Sequence, residues 1–125
     1  MSDADRARLD AYVAHFNARD FEAVRAMISD DVRLDLVSKT RMRGKAEVAS
    51  YFGNYAKIGD WRLETGLVEG RPGILVFDPN APDRGPNYFV LLEWAGGKVA
   101  TIRDFRHAPY VIDGAEYLTS RTGKN

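Results

Sequence analysis

Gly96-Gly97-Lys98-Val99-Ala100-Thr101-Ile102-Arg103-Asp104-Phe105-Arg106-His107 is the stretch on which the reading of this chain turns. The Gly-Gly pair is a two-residue hairpin turn, whose central positions need positive φ. From Lys98 onward the chain reads as one long strand. Val99, Thr101, Arg103, Phe105 and His107 point one way, and Ala100, Ile102, Asp104 and Arg106 the other. Both faces are apolar near the start and ionisable near the end. A strand covered on both sides at one end and opening onto a polar site at the other has this pattern.

Working back from it, Tyr88 to Trp94 is a strand that forms a hairpin with the long one across the glycines. The segment 79–86 carries three prolines and a glycine and reads as an exposed loop. Trp61, Leu63, Thr65 and Leu67 alternate with polar residues, and Gly70-Arg71-Pro72-Gly73 turns that strand into Ile74 to Phe77. Before Trp61 the period is helical. Leu9, Tyr12, Val13 and Phe16 mark a first helix over Asp5 to Ala18. Phe21, Val24 and Ile28 mark a second, and Val48, Phe52 and Tyr55, with Tyr51 alongside, a third from Lys45 to Ala56. Between the last two, Ser29-Asp30-Asp31 is a turn, Val32 to Val37 a half-buried strand, and Ser38 to Gly44 a basic loop. Helices followed by strands predict an α+β fold, three N-terminal helices packed on a curved, mostly antiparallel sheet. One domain is expected over residues 1–112, with a polar C-terminal tail, 113–125, that frays.

The 125 residues suit one domain. A formal net charge of zero argues against a general nucleic-acid binder. With no cysteine, disulfides, thiolate zinc sites and a cysteine nucleophile are excluded. Met1-Ser2-Asp3-Ala4-Asp5-Arg6 is not a secretory signal, and no run approaches the length of a membrane span, so a cytoplasmic protein without membrane contact is expected. No phosphate loop, dinucleotide glycine pattern, zinc-protease helix or serine elbow is present.

Tyr-Val-Ala-His-Phe-Asn-Ala-Arg-Asp-Phe at 12–21, Asp-Asp-Val-Arg-Leu at 30–34, Arg-Gly-Lys-Ala-Glu-Val at 43–48 and Gly-Lys-Val-Ala-Thr-Ile-Arg-Asp-Phe at 97–105 together carry a resemblance. The chain resembles the SnoaL-like branch of the nuclear transport factor 2 (NTF2-like) superfamily over about residues 9 to 110. Phe-Asn-Ala-Arg-Asp-Phe, Tyr-Phe-Gly-Asn-Tyr-Ala at 51–56 and Trp-Arg-Leu at 61–63 are most similar to SnoaL-like domains appended to some extracytoplasmic-function sigma factors. The resemblance implies a cone with a mostly apolar pocket lined by Tyr12, Phe16, Leu36, Phe52, Tyr55, Trp61, Tyr88, Val90, Ile102, Asp104 and Arg106. It also implies a homodimer across the outer sheet face, where Arg103, Phe105 and His107 lie. The fold hosts isomerases, hydrolases, cyclases and non-enzymatic modules, so it does not name the activity.

Carried over residue by residue, the ketosteroid isomerase pattern keeps its tyrosine at Tyr12. Its base aspartate falls on Leu36 and its neutral aspartate near Val90, so two members of three are missing. The epoxide hydrolase pattern finds a match for one aspartate at Asp104, only a loose candidate at Asp78, and no arginine beside it. The cyclases use one carboxylate on a late strand, which Asp104 resembles.

Asp104 and Tyr12 are thus the candidate catalytic residues. The competing reading of Asp104 is a strand-end carboxylate paired to Arg106 or Arg103. Asp104 and Arg106 share a face and are expected to contact each other or another polar side chain; a close pair, the case expected first, keeps the carboxylate ionised, whereas Arg106 turned to the mouth lets its pKa rise. Tyr12 and His15 neighbour each other on the first helix; a core tyrosine and a rim histidine are the structural alternatives. Two histidines do not make a metal site, and no metal or cofactor is expected. Arg33, Lys39, Arg41, Arg43 and Lys45 form a basic cluster, either a solvated face or a contact for an anion or a protein partner. The function expected first is binding of an unidentified small apolar molecule. A cofactor-free isomerase, hydrolase or cyclase acting through Asp104 is second, and a module binding a transcription-related protein partner is third.

Overall fold

Four helices and seven strands follow one another in the computed structural model, which describes residues 3–81 and 83–119. They are α1 (Asp3–Asn17), α2 (Phe21–Ala26), β1 (Ile28–Leu36), β2 (Thr40–Arg43), α3 (Lys45–Ala56), β3 (Arg62–Val68), β4 (Arg71–Phe77), β5 (Tyr88–Ala95), β6 (Lys98–Asp104), α4 (Val111–Gly114) and β7 (Tyr117–Thr119). The strands make one curved sheet in the order β2-β1-β6-β5-β4-β3-β7. Every pairing is antiparallel except β1 with β6. The α+β expectation therefore holds, and helices α1 to α3 pack against the sheet.

Helix α1 buries the stripe that its periodicity marks, Leu9, Tyr12, Val13 and Phe16, with Asp3 and Asp5 at the N-terminal end of its dipole. The Asn-Ala-Arg-Asp break after it is a set of ties. The Asn17 amide accepts from Leu63 N–H and donates to Leu63 C=O, both at 2.8 Å, which pins the end of α1 to β3. Arg19, with φ 60°, donates to the carbonyls of Tyr55, Ala56 and Ile58 at the C-terminal end of α3, and its guanidinium lies 4.5 Å from the centre of the Trp61 ring. Asp20 caps α2 by accepting from Ala23 N–H. Beneath these ties Phe16, Phe21, Phe52, Tyr55 and Trp61 pack largely edge to face, with Phe16 5.3 Å from Tyr55 and 5.2 Å from Trp61.

Several local readings change. The long strand expected to reach His107 ends at Asp104, because the carboxylate of Asp104 accepts from Arg106 N–H at 2.8 Å and turns the chain. The expected basic loop 38–44 contains β2, antiparallel to β1. The expected turn at Ser29 to Asp31 lies inside β1, where the register to β6 shifts between Ile28 and Arg33. The hairpin between β3 and β4 turns on Glu69 and Gly70, with φ 52° and 76°, so Arg71 and Pro72 belong to β4. The chain after Ile112 does not simply fray. Residues 117–119 pair with β3 as β7, and residues 120–125 of the expected tail lie outside the described residues. Gly66 makes that pairing possible: a Cβ there would stand 2.6 Å from the Leu118 carbonyl oxygen. Phe105 is buried, its ring 4.5 Å from that of Phe89 and 5.3 Å from the guanidinium of Arg103.

Candidate functional site

Register places Leu36, Asp104, Val90 and Ile74 side by side in one row across β1, β6, β5 and β4. Leu36 and Val90 are the positions where the isomerase pattern calls for carboxylates, and Asp104 stands directly between them. One carboxylate occupies the middle of a row in which its two expected neighbours are apolar.

Over this row lies α3. Tyr51 and Tyr55 are one turn apart on it, so both hydroxyls reach the same side. Each donates to Asp104 Oδ2 at 2.7 Å, while Arg106 N–H donates to Oδ1. Tyr88, at the start of β5, meets the Tyr55 hydroxyl at 2.6 Å and accepts from Arg106 Nη1 at 3.2 Å. A tyrosine has one proton to donate, and that of Tyr55 goes to Asp104, so Tyr88 is the donor to Tyr55. The result is a directed chain from the Arg106 guanidinium through Tyr88 and Tyr55 to Asp104, with Tyr51 as a second donor.

Asp104 has no exposed surface. Burial lifts its pKa above the ordinary carboxylate value, and this outweighs the hydroxyls of Tyr51 and Tyr55 and the Arg106 N–H and cation, which all pull it down. Burial also raises the tyrosines, with the charge of Asp104 adding to it; Tyr88 is pushed up to about 12. These hydroxyls are protonated donors at neutral pH. The guanidinium of Arg106 does not turn inward to the carboxylate as expected. It reaches Asp60 at 3.1 Å, in the loop before β3, and the partly exposed pair sits outside Tyr88.

The Tyr12 hydroxyl is buried in the same neighbourhood and has no hydrogen-bond partner among the described residues. Burial and the Asp104 charge raise its pKa too. Tyr12, Phe16, Tyr51, Tyr55, Leu63, Ile74 and Val90 surround a small space too narrow for a water molecule. The apolar pocket expected here is therefore closed: the rings of Phe16, Phe52 and Trp61 fill it as core, and Ile102 packs in the row behind Asp104. Trp61 also spends its indole N–H on the Tyr55 carbonyl at 3.1 Å.

Open space lies just outside. A cleft of about 1030 Å³ is bordered by Asp60, Arg84, Tyr88, Arg106, His107, Tyr110, Asp113 and Tyr117. Tyr110 is 70% exposed and Tyr117 41%. Of the residues expected at the site, Tyr55, Tyr88, Asp104 and Arg106 come together by hydrogen bonds, and only Tyr88 and Arg106 reach the cleft. Tyr51, Asp60 and Tyr110 join the site without having been expected there. The four-residue spacing of Tyr51 and Tyr55 is the available signal for the first; nothing local marks the other two. Among the described residues no three His, Asp or Glu side chains gather as metal ligands. No described helix is long and apolar enough to cross a membrane.

A family profile described as SnoaL-like domain matches residues 9–124. No curated protein sequence matches the chain. Among solved structures, a protein from Kribbella flavida provisionally described as a ketosteroid isomerase is 22% identical, with 82% of this chain and 77% of that one covered and a TM-score of 0.59. One from Xanthomonas campestris provisionally described as a polyketide cyclase is 21% identical, with 81% and 88% covered and a TM-score of 0.61. A de novo designed protein with a curved β-sheet is 21% identical, with 91% and 98% covered and a TM-score of 0.61. A designed protein standing as near as the two natural ones shows that these likenesses speak to the fold alone.

Proposed function

The chain belongs to the SnoaL-like domain family, and on that premise we propose that it binds a small organic molecule in the cleft whose back wall is Tyr88 and Arg106. The observation that carries this reading is continuity. Among the described residues, Tyr88 and Arg106 alone are common to the cleft and the buried polar chain, so a ligand there meets two hydrogen-bonding groups already oriented from behind. The border of arginines, tyrosines and His107 suits a flat carbon frame carrying oxygen functions better than a purely apolar body. The likeness to a protein described as a polyketide cyclase supports the same ligand class.

Titration with small hydroxylated aromatic ketones, followed by amide shifts in NMR spectra, tests it. Shifts are expected at Asp60, Arg106, His107 and Tyr110, and Arg106→Ala is expected to weaken binding by about tenfold, or 1.4 kcal/mol. Saturable binding with no shifts around the cleft overturns the proposal.

A second reading, a cofactor-free acid–base enzyme, is favoured by one observation: the Arg106 guanidinium is engaged by Asp60, and burial holds the Asp104 carboxyl above its ordinary pKa. A ligand oxygen at Tyr88 would exchange a proton with Asp104 through Tyr88 and Tyr55, each hydroxyl passing one on as it receives one. Turnover of such ketones or of small epoxides by the wild type and its loss in Asp104→Asn supports catalysis. Binding without turnover leaves the container.

A further inference from the structure

Of the basic cluster noted in the sequence, Lys39 sits in the exposed turn before β2 and the other four residues fall into two groups. Lys45 lies 3.9 Å from Asp30, away from the rest. Arg33, Arg41 and Arg43 gather on the outer face of β1 and β2, where Arg103 of β6 joins them around a groove of about 450 Å³ that also includes Asp35, Glu47 and Thr101. Register gives two rows. In one, Arg41, Asp35 and Arg103 stand abreast, and Asp35 is shared, 3.8 Å from each guanidinium. In the other, Arg43, Arg33 and Thr101 stand abreast. Arg33 and Arg43 are both exposed, face each other directly across the strands, and form no ion pair with any described residue. Like charges directly opposite in an antiparallel pair are destabilising.

Charges on an edge strand commonly guard it against unwanted pairing, and β2 is such an edge. That accounts for Arg41 and Arg43. It does not account for Arg33, which sits on the inner neighbour β1 and adds repulsion without guarding anything. We propose that this groove docks an extended acidic polypeptide segment of a partner protein, laid along the outer edge of β2, where it displaces Glu47 Oε1 from the Arg43 N–H it accepts from at 3.2 Å. Arg41 and Arg43 are two apart and share a face, so a strand paired to β2 presents every second side chain to them. Acidic residues at alternate positions meet Arg41 and Arg43 and, by leaning over the edge, relieve the unpaired Arg33. Charge complementarity selects this occupant: four arginines against two carboxylates, on a chain whose net charge is zero.

The probe is a short synthetic peptide alternating Glu and Val, with a twin carrying Lys for Glu. Saturable binding of the acidic peptide alone is expected, with amide shifts at Thr40 to Arg43 and affinity that falls as salt is raised. Arg43→Glu is expected to lower affinity by about tenfold or more. So is Arg33→Glu, which leaves an attractive pair with Arg43 and so keeps the sheet folded. No binding at low salt, equal binding of the Lys twin, or affinity untouched by both reversals overturns the proposal. So does equal binding of a single-stranded DNA at the same residues, or a sedimenting dimer in which β2 is covered by a second copy.

Discussion

Removing one hydroxyl should have opposite consequences at two tyrosines that both lie beside Asp104. Tyr51 donates to the carboxylate at 2.7 Å in a fully buried setting. In Tyr51→Phe the carboxylate loses one of the two donors on Oδ2 and no water replaces it. A hydrogen bond to a charged partner contributes roughly 1.5–3 kcal/mol net, and that is the stability loss expected at neutral pH. The lost donor favoured the ionised form, so the pKa of Asp104 moves further up. The Tyr12 hydroxyl is equally buried but has no partner among the described residues, beside a space that holds no water. Leaving a polar group unsatisfied costs about 1–3 kcal/mol, so Tyr12→Phe is expected to be neutral or stabilising. Both changes leave the same small void, which cancels in the comparison. Urea unfolding of the two variants, with carboxyl-carbon NMR of Asp104, reads the difference directly. Equal destabilisation of the two, or a fall in the Asp104 pKa in Tyr51→Phe, would refute the account of which hydroxyl holds the carboxylate.

A carboxyl whose folded pKa lies above its unfolded value is most favourable to folding at acid pH. Its contribution declines as pH rises from about 3.8 through the folded value. Wild-type stability minus that of Asp104→Asn should therefore fall with rising pH, at no more than about 1.36 kcal/mol per pH unit; a difference that climbs contradicts the direction. Gly66→Ala sets a Cβ against the Leu118 carbonyl and the Leu75 side chain, and should cost about 1–3 kcal/mol with loss of amide protection at Tyr117 to Thr119. Unchanged exchange there means β7 is not held as described. Arg19→Ala removes three hydrogen bonds to the end of α3 and the cation over Trp61, and should lower stability by about 1–3 kcal/mol and shift Trp61 emission. A silent variant would show that the end of α3 holds without them.

Where hydrophobic period and turn chemistry agree, elements are readable to the residue. Helix α3 runs from Lys45 to Ala56 as its apolar spacing predicts, entered through Gly44 at φ 88°. The Gly96-Gly97 hairpin and the central place of Asp104 are equally plain. The features that stay hidden depend on partners distant in sequence. Strand β2 is four residues long and carries one apolar side chain, Met42, between arginines, too short a run for alternation to reveal it. The end of β6 is set by a side chain accepting from its own backbone two residues on, which strand periodicity does not encode. Strand alternation turns Arg106 inward because Asp104 is its neighbour on the chain; Asp60, in the loop before β3, draws it outward instead. Tyr51 reads as one more core ring, since nothing in an apolar stripe says which hydroxyl will find a carboxylate.

The one parallel joint in the sheet also sets the order in which the molecule can come together. The β5–β6 hairpin and the β1–β2 pair each close locally, but β1 meets β6 only after the whole chain between Leu36 and Asp104 has looped back. Closing so long a loop is the slow kind of step, because its entropy is lost before the contacts repay it. Asp104 lies on that seam, so until the seam shuts its carboxylate stands in water and ionised at neutral pH. Closing that seam is then also the drying of a charge. Refolding should quicken as pH falls toward about 3.8, where a growing share of unfolded chains already carries the proton, and Asp104→Asn should abolish that acceleration.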